Sequence, residues 1–385
     1  MTSTCRYGRC SHAAEQHGTN MRKAKVLVVD DAMLIRRMVS DIVAADPAIE
    51  VVGEAANGRI ALQKIAQLAP DLVTLDVEMP EMNGLQTLKE IRKTHPRLPV
   101  IMFSAVTERG AKDTLEALHY GASDYVTKPT SAAGRATAQL RIREDLVPKI
   151  KSLCRLVGAT PPGIKSPGSA RSGSAFTLRA LGPAITADVI AISLSTGGPQ
   201  ALGQILSTLP ADFRAPILVV PHMAQMFTKF FAERLAAQTP LTVVEGVDGQ
   251  AVQAATVYIA PADFHLTVRR RSGSTVLALD QAPPQHSHRP AADVLFQSVA
   301  DAYGSRALAL VLTGMGQDSL KGCEGITTAG GRVLVQDEAT SVVWEMAGLV
   351  ARAGLADAVL PLGEIAGELT RRTTRVAASD DRGAA

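Results

Sequence analysis

Three residues far apart in the chain have types that together run acyl transfer. Ser195 in "VIAISLSTGGP" offers a hydroxyl, His222 in "APILVVPH" an imidazole to take its proton, and Asp318 in "ALALVLTGMGQDS" a carboxylate to orient the ring. Each follows an apolar, strand-forming run, so parallel strands of one sheet would bring all three to one edge. The glycines beside Ser195 and in the Gly-Met-Gly turn permit close backbone approach. Free N–H groups there and at the next helix start would stabilise an oxyanion, by about 2.7–4 kcal/mol per donor. Two other readings compete for Ser195, a helix cap and a phosphate cradle. No GxGxxG or Walker pattern is present, and the GxSxG elbow fails because residue 193 is serine.

Other histidines compete for the role of base. His265 in "DFHLTV" reads as a structural histidine, and His286 and His288 in "QHSHRP" form an HxH pair without an evident third metal ligand. A second cluster lies near the N-terminus, where Asp30 and Asp31 end one strand candidate and Asp76 ends another. If those strands are neighbours, as in flavodoxin-like order, three carboxylates meet and require a cation. Oxygen ligands next to a phosphoryl group suit Mg²⁺. Lys128 in "TKP" and Ser104 at the end of "PVIMFS" complete that edge with an ammonium and a hydroxyl. Taken singly, each of these has a plain reading as a cap, a turn residue or a solvated charge.

The elements that must position these groups are legible as alternation. "KVLVVD", "IEVVGEA", "LVTLD", "PVIMFS" and "DYVTK" read as strands separated by helical spacing, which predicts a doubly wound parallel α/β sheet. The pattern decays after Ser131, where a basic helical segment runs into "GATPPGIKSPGSARSGSA", a linker composition. Alternation resumes at Ala187 through "ADVIAIS", "PILVVP", "LTVVEG", "TVYIAP", "LTVRR", "TVLALD", "ALALVLT" and "RVLVQD". Short connections in the middle of that series predict antiparallel hairpins and so a mixed sheet with a parallel core. The expected divisions are a disordered extension over 1–22, a first domain over 23–140, a linker over 141–185, a catalytic domain over 186–373 and a disordered tail over 374–385.

Composition narrows the function classes. With 40 basic and 37 acidic side chains spread along the 385 residues and 4% aromatics, the chain has neither the basic stripe nor the stacking platform of a nucleic-acid binder. Apolar runs such as "ILVV" are too short to insert in a membrane, and the first residues lack a signal-peptide core. Cys5, Cys10, Cys154 and Cys323 are scattered, which fits a reducing compartment and a cytoplasmic protein. The spacing of Cys5, Cys10, His12 and His17 matches no common zinc motif, and Met21 opens a better-patterned sequence that could be the true start.

Through "VVDD", "LDVEMP", "FSA" and "DYVTKP" the first domain resembles the response-regulator receiver family. The resemblance implies that Asp76 accepts a phosphoryl group and that Asp31, Asp76 and the Glu78 carbonyl hold Mg²⁺ with Asp30 in support. It also implies that Ser104 and Lys128 sense the phosphoryl group and that Tyr125 switches rotamer. Through "STGGP", "PHM", "YIAP", "HRPAADVLF", "LTGMGQDS" and "VQDEATSVVWEMA" the second domain resembles the chemotaxis protein-glutamate methylesterases. That likeness implies a Ser195–His222–Asp318 triad, with the Met315 amide as oxyanion donor and Thr196 next to the nucleophile. Four stretches depart from the family pattern: "ISLSTGG" for a Gly-Ala before the serine, "GMGQDS" for Gly-Met-Gly-Asn-Asp-Gly, and "HMAQ" and "EMA", which lack a proline after methionine.

The expected protein is a phosphorylation-activated serine esterase acting on methylated chemoreceptors, with a chemotaxis histidine kinase as phosphodonor and glutamine deamidation as a second activity. The esterase site itself should need no cofactor. A non-catalytic docking protein built on an impaired esterase is the alternative. A transcription-factor output is excluded by the long α/β pattern after Ala187, which offers no helix-turn-helix.

Overall fold

The computed structural model describes residues 22–129, 134–155 and 186–374. The expected N-terminal extension through residue 21, most of the linker and the tail beyond residue 374 lie outside the described residues, as do Cys5, Cys10, His12 and His17. The first α/β unit runs β1 (Ala24–Val29), α1 (Met33–Ala44), β2 (Ile49–Ala55), α2 (Gly58–Leu68), β3 (Leu72–Asp76), α3 (Gly84–Thr94), β4 (Val100–Ser104), α4 (Glu108–His119), β5 (Asp124–Thr127) and α5 (Arg135–Leu153). Its five strands are parallel in the order β2-β1-β3-β4-β5, the flavodoxin-like order. Strands β3 and β4 are buried at every position, which is why they read as unbroken apolar runs. Local signals start the helices: Asn57 and Thr107 cap α2 and α4, and Asn83 with Gln86 forms a capping box on α3.

The expected end of this unit at residue 140 falls inside α5. Ile142, Leu146 and Ile150 on that helix are buried in one cluster with Val39, Ile42 and Val43 of α1. The linker composition begins only after the last apolar face has been packed.

The second unit comprises β6 (Val189–Leu194), α6 (Gly198–Thr208), β7 (Ile217–Pro221), α7 (Phe227–Ala236), β8 (Thr242–Glu245), β9 (Thr256–Ile259), β10 (His265–Arg271), β11 (Ser274–Asp280), α8 (Ala292–Tyr303), β12 (Ala307–Val311), α9 (Leu320–Thr328), β13 (Arg332–Gln336), α10 (Met346–Arg352), β14 (Ala358–Leu360) and α11 (Leu362–Thr373). Seven strands lie in the order β14-β13-β12-β6-β7-β9-β8, and each of their pairings is parallel. The expected antiparallel hairpin exists, but β10 and β11 form a separate two-stranded ribbon. It packs on α8 through Leu266, Val268 and Leu277 and so adds no strand to the main sheet. Strand β14 has only three residues, too few to show a pattern in the sequence.

Strand β6 is the switch point, with β7 on one side and β12 on the other. In an open α/β sheet the crevice beyond the carboxyl ends of such strands is where ligands bind. Among the described residues no helix is long and apolar enough to cross a membrane.

Candidate functional site

Ser195 follows β6, His222 follows β7, and Asp318 lies in the loop after β12, so all three reach the carboxyl edge of three adjacent strands. The His222 amide bonds the Leu194 carbonyl at 3.0 Å and the Ser195 amide the Thr313 carbonyl at 3.1 Å, which ties the three loops together. Gly197, with φ 78°, is the N-cap of helix α6, and Pro199 occupies its first turn. A Cβ at Gly197 would meet Val342 Cγ2 at 2.5 Å, and one at Gly314 would meet Ser195 Cβ at 2.8 Å. Glycine is required at Gly197 by its positive φ and by the Val342 side chain, and at Gly314 because Met346 and Ser195 pack directly against it.

His222 Nε2 donates to Asp318 Oδ2 at 2.7 Å, with both side chains nearly inaccessible to solvent. Asp318 also accepts the Ala292 amide at 2.7 Å and the Asp293 amide at 2.9 Å. Burial opposes ionisation of this carboxyl, but the His222 ring and the two amides outweigh it and hold it below the usual carboxylate range. Asp318 is therefore a fixed anion that selects the tautomer with hydrogen on Nε2. The lone pair is left on Nδ1, a buried atom with no hydrogen-bond partner among the described residues. No hydrogen bond joins Ser195 to His222 among the described residues; catalytic contacts of this kind often tighten only once substrate is bound.

His288 stacks on the His222 ring, with centroids 3.9 Å apart and planes 3° from parallel. Burial, with His222 as neighbour, holds His288 down to about 3, so it is neutral at pH 7 and does not oppose a positive charge forming on His222. His286 bonds Asp293 at 3.0 Å, and His265 bonds the Pro283 carbonyl and the Ala291 amide, the structural role expected of it. The Met315 amide donates to no group among the described residues and lies in the Gly314–Gly316 turn facing Ser195.

On the first unit's carboxyl edge Asp30, Asp31 and Asp76 place ligand oxygens within 4.8 Å of one another. Lys128 Nζ lies 3.0 Å from Asp30 Oδ2 and 2.7 Å from Asp76 Oδ2. One ammonium thus serves two buried carboxylates, and burial still pushes Asp76 up to about 6, with Asp30 adding repulsion. The site has an excess of hard oxygen donors and negative charge, which fits a divalent cation. Asp76→Asn is accordingly expected to raise Tm in metal-free buffer at pH 7.5, and the gain should shrink as Mg²⁺ is added to the unsubstituted chain; differential scanning fluorimetry reads both. Glu78 is exposed, and its amide donates to Asp76 Oδ1 at 3.3 Å. The Ser104 hydroxyl is fully buried and donates to the Gly110 and Ala105 carbonyls.

Residues 190–369 match the CheB methylesterase family and residues 26–138 the response regulator receiver domain. A protein-glutamate methylesterase/protein-glutamine glutaminase of Trichodesmium erythraeum is 48% identical over 357 residues, covering 91% of this chain and 99% of that protein. One from a Nocardioides species is 50% identical over 355 residues, covering 91% and 96%. The chain belongs to the CheB methylesterase family. The crystal structure of the Thermotoga maritima CheB methylesterase catalytic domain, 41% identical, covers 49% of this chain and 99% of that one with a TM-score of 0.48.

The methylesterase also holds a contact surface between its two units, built from residue pairs that sequence reasoning did not identify. Thr196, next to Ser195, donates its hydroxyl to Asp124 of β5. Tyr125 stacks on Phe227 with centroids 4.4 Å apart, and its hydroxyl accepts the Ala224 amide at 2.9 Å. Gln200 Nε2 donates to the Leu118 and Ala122 carbonyls at 2.8 and 2.6 Å. Lys149 of α5 sits 3.4 Å from Asp124 and 2.9 Å from Asp145 and donates to the Tyr125 carbonyl at 2.6 Å. Together Tyr125 and Lys149 roof a cleft of about 240 Å³ against His222 and His288. These residues carry no shared spacing in the sequence. Asp124 and Tyr125 open β5, and nothing local in that strand marks a partner in the other unit.

Proposed function

We propose that this methylesterase hydrolyses γ-glutamyl methyl esters on chemoreceptors through an acyl-serine and that phosphorylation of Asp76 raises its rate. The observation that carries the reading is the His222–Asp318 pair on the same sheet edge as Ser195, with Nδ1 left as the available base. Ser195 Oγ attacks the ester carbonyl while His222 Nδ1 takes its proton, and the tetrahedral oxyanion is met by the Met315 amide and the amides at the start of α6. His222 returns the proton to the departing methoxide, which leaves as methanol. Water, deprotonated by the same nitrogen, then attacks the acyl-serine and releases glutamate. A glutamine amide can follow the same path with ammonia as leaving group, which is the second activity in the relatives' names.

The division of labour places the receiver over residues 23–155 and the esterase over 186–373. Asp30, Asp31, Asp76 and the Glu78 carbonyl would hold Mg²⁺. Bound there, the ion supplies charge neutralisation for an incoming phosphoryl group. Lys128 pairs with the acceptor, and a histidine kinase of the chemotaxis system is the phosphodonor, with both partners in the cytoplasm. In the arrangement described, the receiver lies over the nucleophile through Asp124–Thr196 and Tyr125–Phe227, which leaves little room for a receptor helix. Phosphorylation would act by shifting the population away from that closed arrangement.

Methanol release from methylated receptor membranes, with and without an acyl phosphate, tests the reading. Release that rises with the phosphodonor is expected; no release in either condition rejects it. Gln200→Ala removes two hydrogen bonds across the contact surface, about 1 kcal/mol each. It should raise the unphosphorylated rate several-fold and leave the phosphorylated rate unchanged in the same assay.

A further inference from the structure

Two departures from the family pattern face one another inside the fold. Ser193, the fifth residue of β6, and Ser319, directly after Asp318, are both fully buried, and Ser319 Oγ donates to Ser193 Oγ at 2.7 Å. The chain between them makes a closed circuit. Val311 of β12 stands in register with Ser193 of β6, and the Leu312 amide still bonds the Ser193 carbonyl at 3.0 Å. The chain then leaves the sheet through Gly314, Met315 and Gly316, passes Asp318, and returns through Ser319 to Ser193.

We infer that the Ser193–Ser319 hydroxyl pair is a positioning clamp for the esterase site, closing the loop that carries both the Met315 amide and Asp318 onto the strand that carries Ser195. The inference rests on the triad assignment made above. Ser319 adopts φ 108°, in the left-handed region where a side chain is strained and a glycine is not. Such a conformation persists where the surroundings over-determine it. Here the Ser319 amide is held by Asp293 Oδ1 at 3.0 Å, the same oxygen that takes the Gly322 amide at 2.7 Å. Among the described residues the side-chain hydroxyl then has one partner, Ser193. A buried hydroxyl stripped of its only partner is left unsatisfied, so the two loops are held together most firmly when both serines are present.

Clamping acts on geometry and leaves the receptor-facing surface alone, so it should appear in kcat rather than KM. The test uses the full chain with an acyl phosphate, following methanol release from methylated receptor membranes over a range of receptor concentrations. Ser193→Ala and Ser319→Gly should each lower kcat about tenfold, since small misplacements of reacting groups are costly, with KM within about twofold. Ser319→Gly keeps the backbone relaxed, so it reports on the lost hydroxyl even if Ser193→Ala folds poorly. The double variant should be no slower than the slower single one, because the second substitution removes a hydroxyl already without a partner. Single variants with kcat within twofold of the unsubstituted chain, or effects that multiply in the double variant, would overturn the clamp alone. Turnover surviving in Ser195→Ala would overturn the triad reading and the clamp with it.

Discussion

Ser195→Ala is expected to reduce methanol release by at least about 10³-fold, to the level left by binding and the oxyanion donors alone. His222→Ala should fall to the same level, and Ser195→Ala/His222→Ala should be no slower than either, because nucleophile and base act as one unit. The reason lies in the His222 ring. Its Nε2 is committed to Asp318, which is itself held by two backbone amides, so one ring nitrogen is available for proton transfer and it has no other partner among the described residues. Circular dichroism should show both folds intact, since Ser195 caps no helix by its side chain and sits in a glycine-lined turn. Activity within tenfold of the unsubstituted chain in His222→Ala would remove its assignment as base.

The second large effect concerns the receiver. A fragment starting at Ala187 is expected to turn over faster than the whole unphosphorylated chain by about 5–150-fold, the range of ordinary coupling free energies between sites. The contact surface justifies that size. It combines an aromatic stack, the Asp124–Thr196 hydrogen bond beside Ser195, two bonds from Gln200 and one from the Ala224 amide to the Tyr125 hydroxyl. Breaking it would expose Tyr125 and Phe227 and leave Asp124 to regain water, a cost that phosphorylation of Asp76 has to offset under the proposed function. The same assay on the whole chain with an acyl phosphate should move its rate toward that of the fragment. Equal rates for fragment and unphosphorylated chain would end the inhibitory reading.

The placement of the candidate residues was legible in the sequence because of where α/β folds put the ends of strands. Strands buried on both faces read as apolar runs, and the residue just past each run is forced to the carboxyl edge, so Asp30, Asp76, Ser195 and His222 could be placed without coordinates. Asp318, seven residues past β12, depended on the Gly-Met-Gly turn to fold the loop back. Position alone did not settle direction. Ser104 ends β4 as expected, yet its hydroxyl turns to the carbonyls at the start of α4, a choice made by local hydrogen bonding. Nor did composition mark the end of the receiver, because α5 carries Arg141 and Arg143 on its exposed side while Ile142, Leu146 and Ile150 pack on α1 and the sheet. The contact between Asp124 and Thr196 was out of reach for another reason: it joins residues 72 positions apart across two sheets, and no local pattern encodes it.

The most direct measurement is covalent labelling of the whole chain with a fluorophosphonate, followed by mass mapping of the modified peptide. A single phosphonyl adduct on Ser195, formed faster after treatment with an acyl phosphate and lost in His222→Ala, is the predicted outcome. A chain that takes no label under either condition, or takes it on another residue at the same rate without His222, would contradict a serine nucleophile activated at this sheet edge.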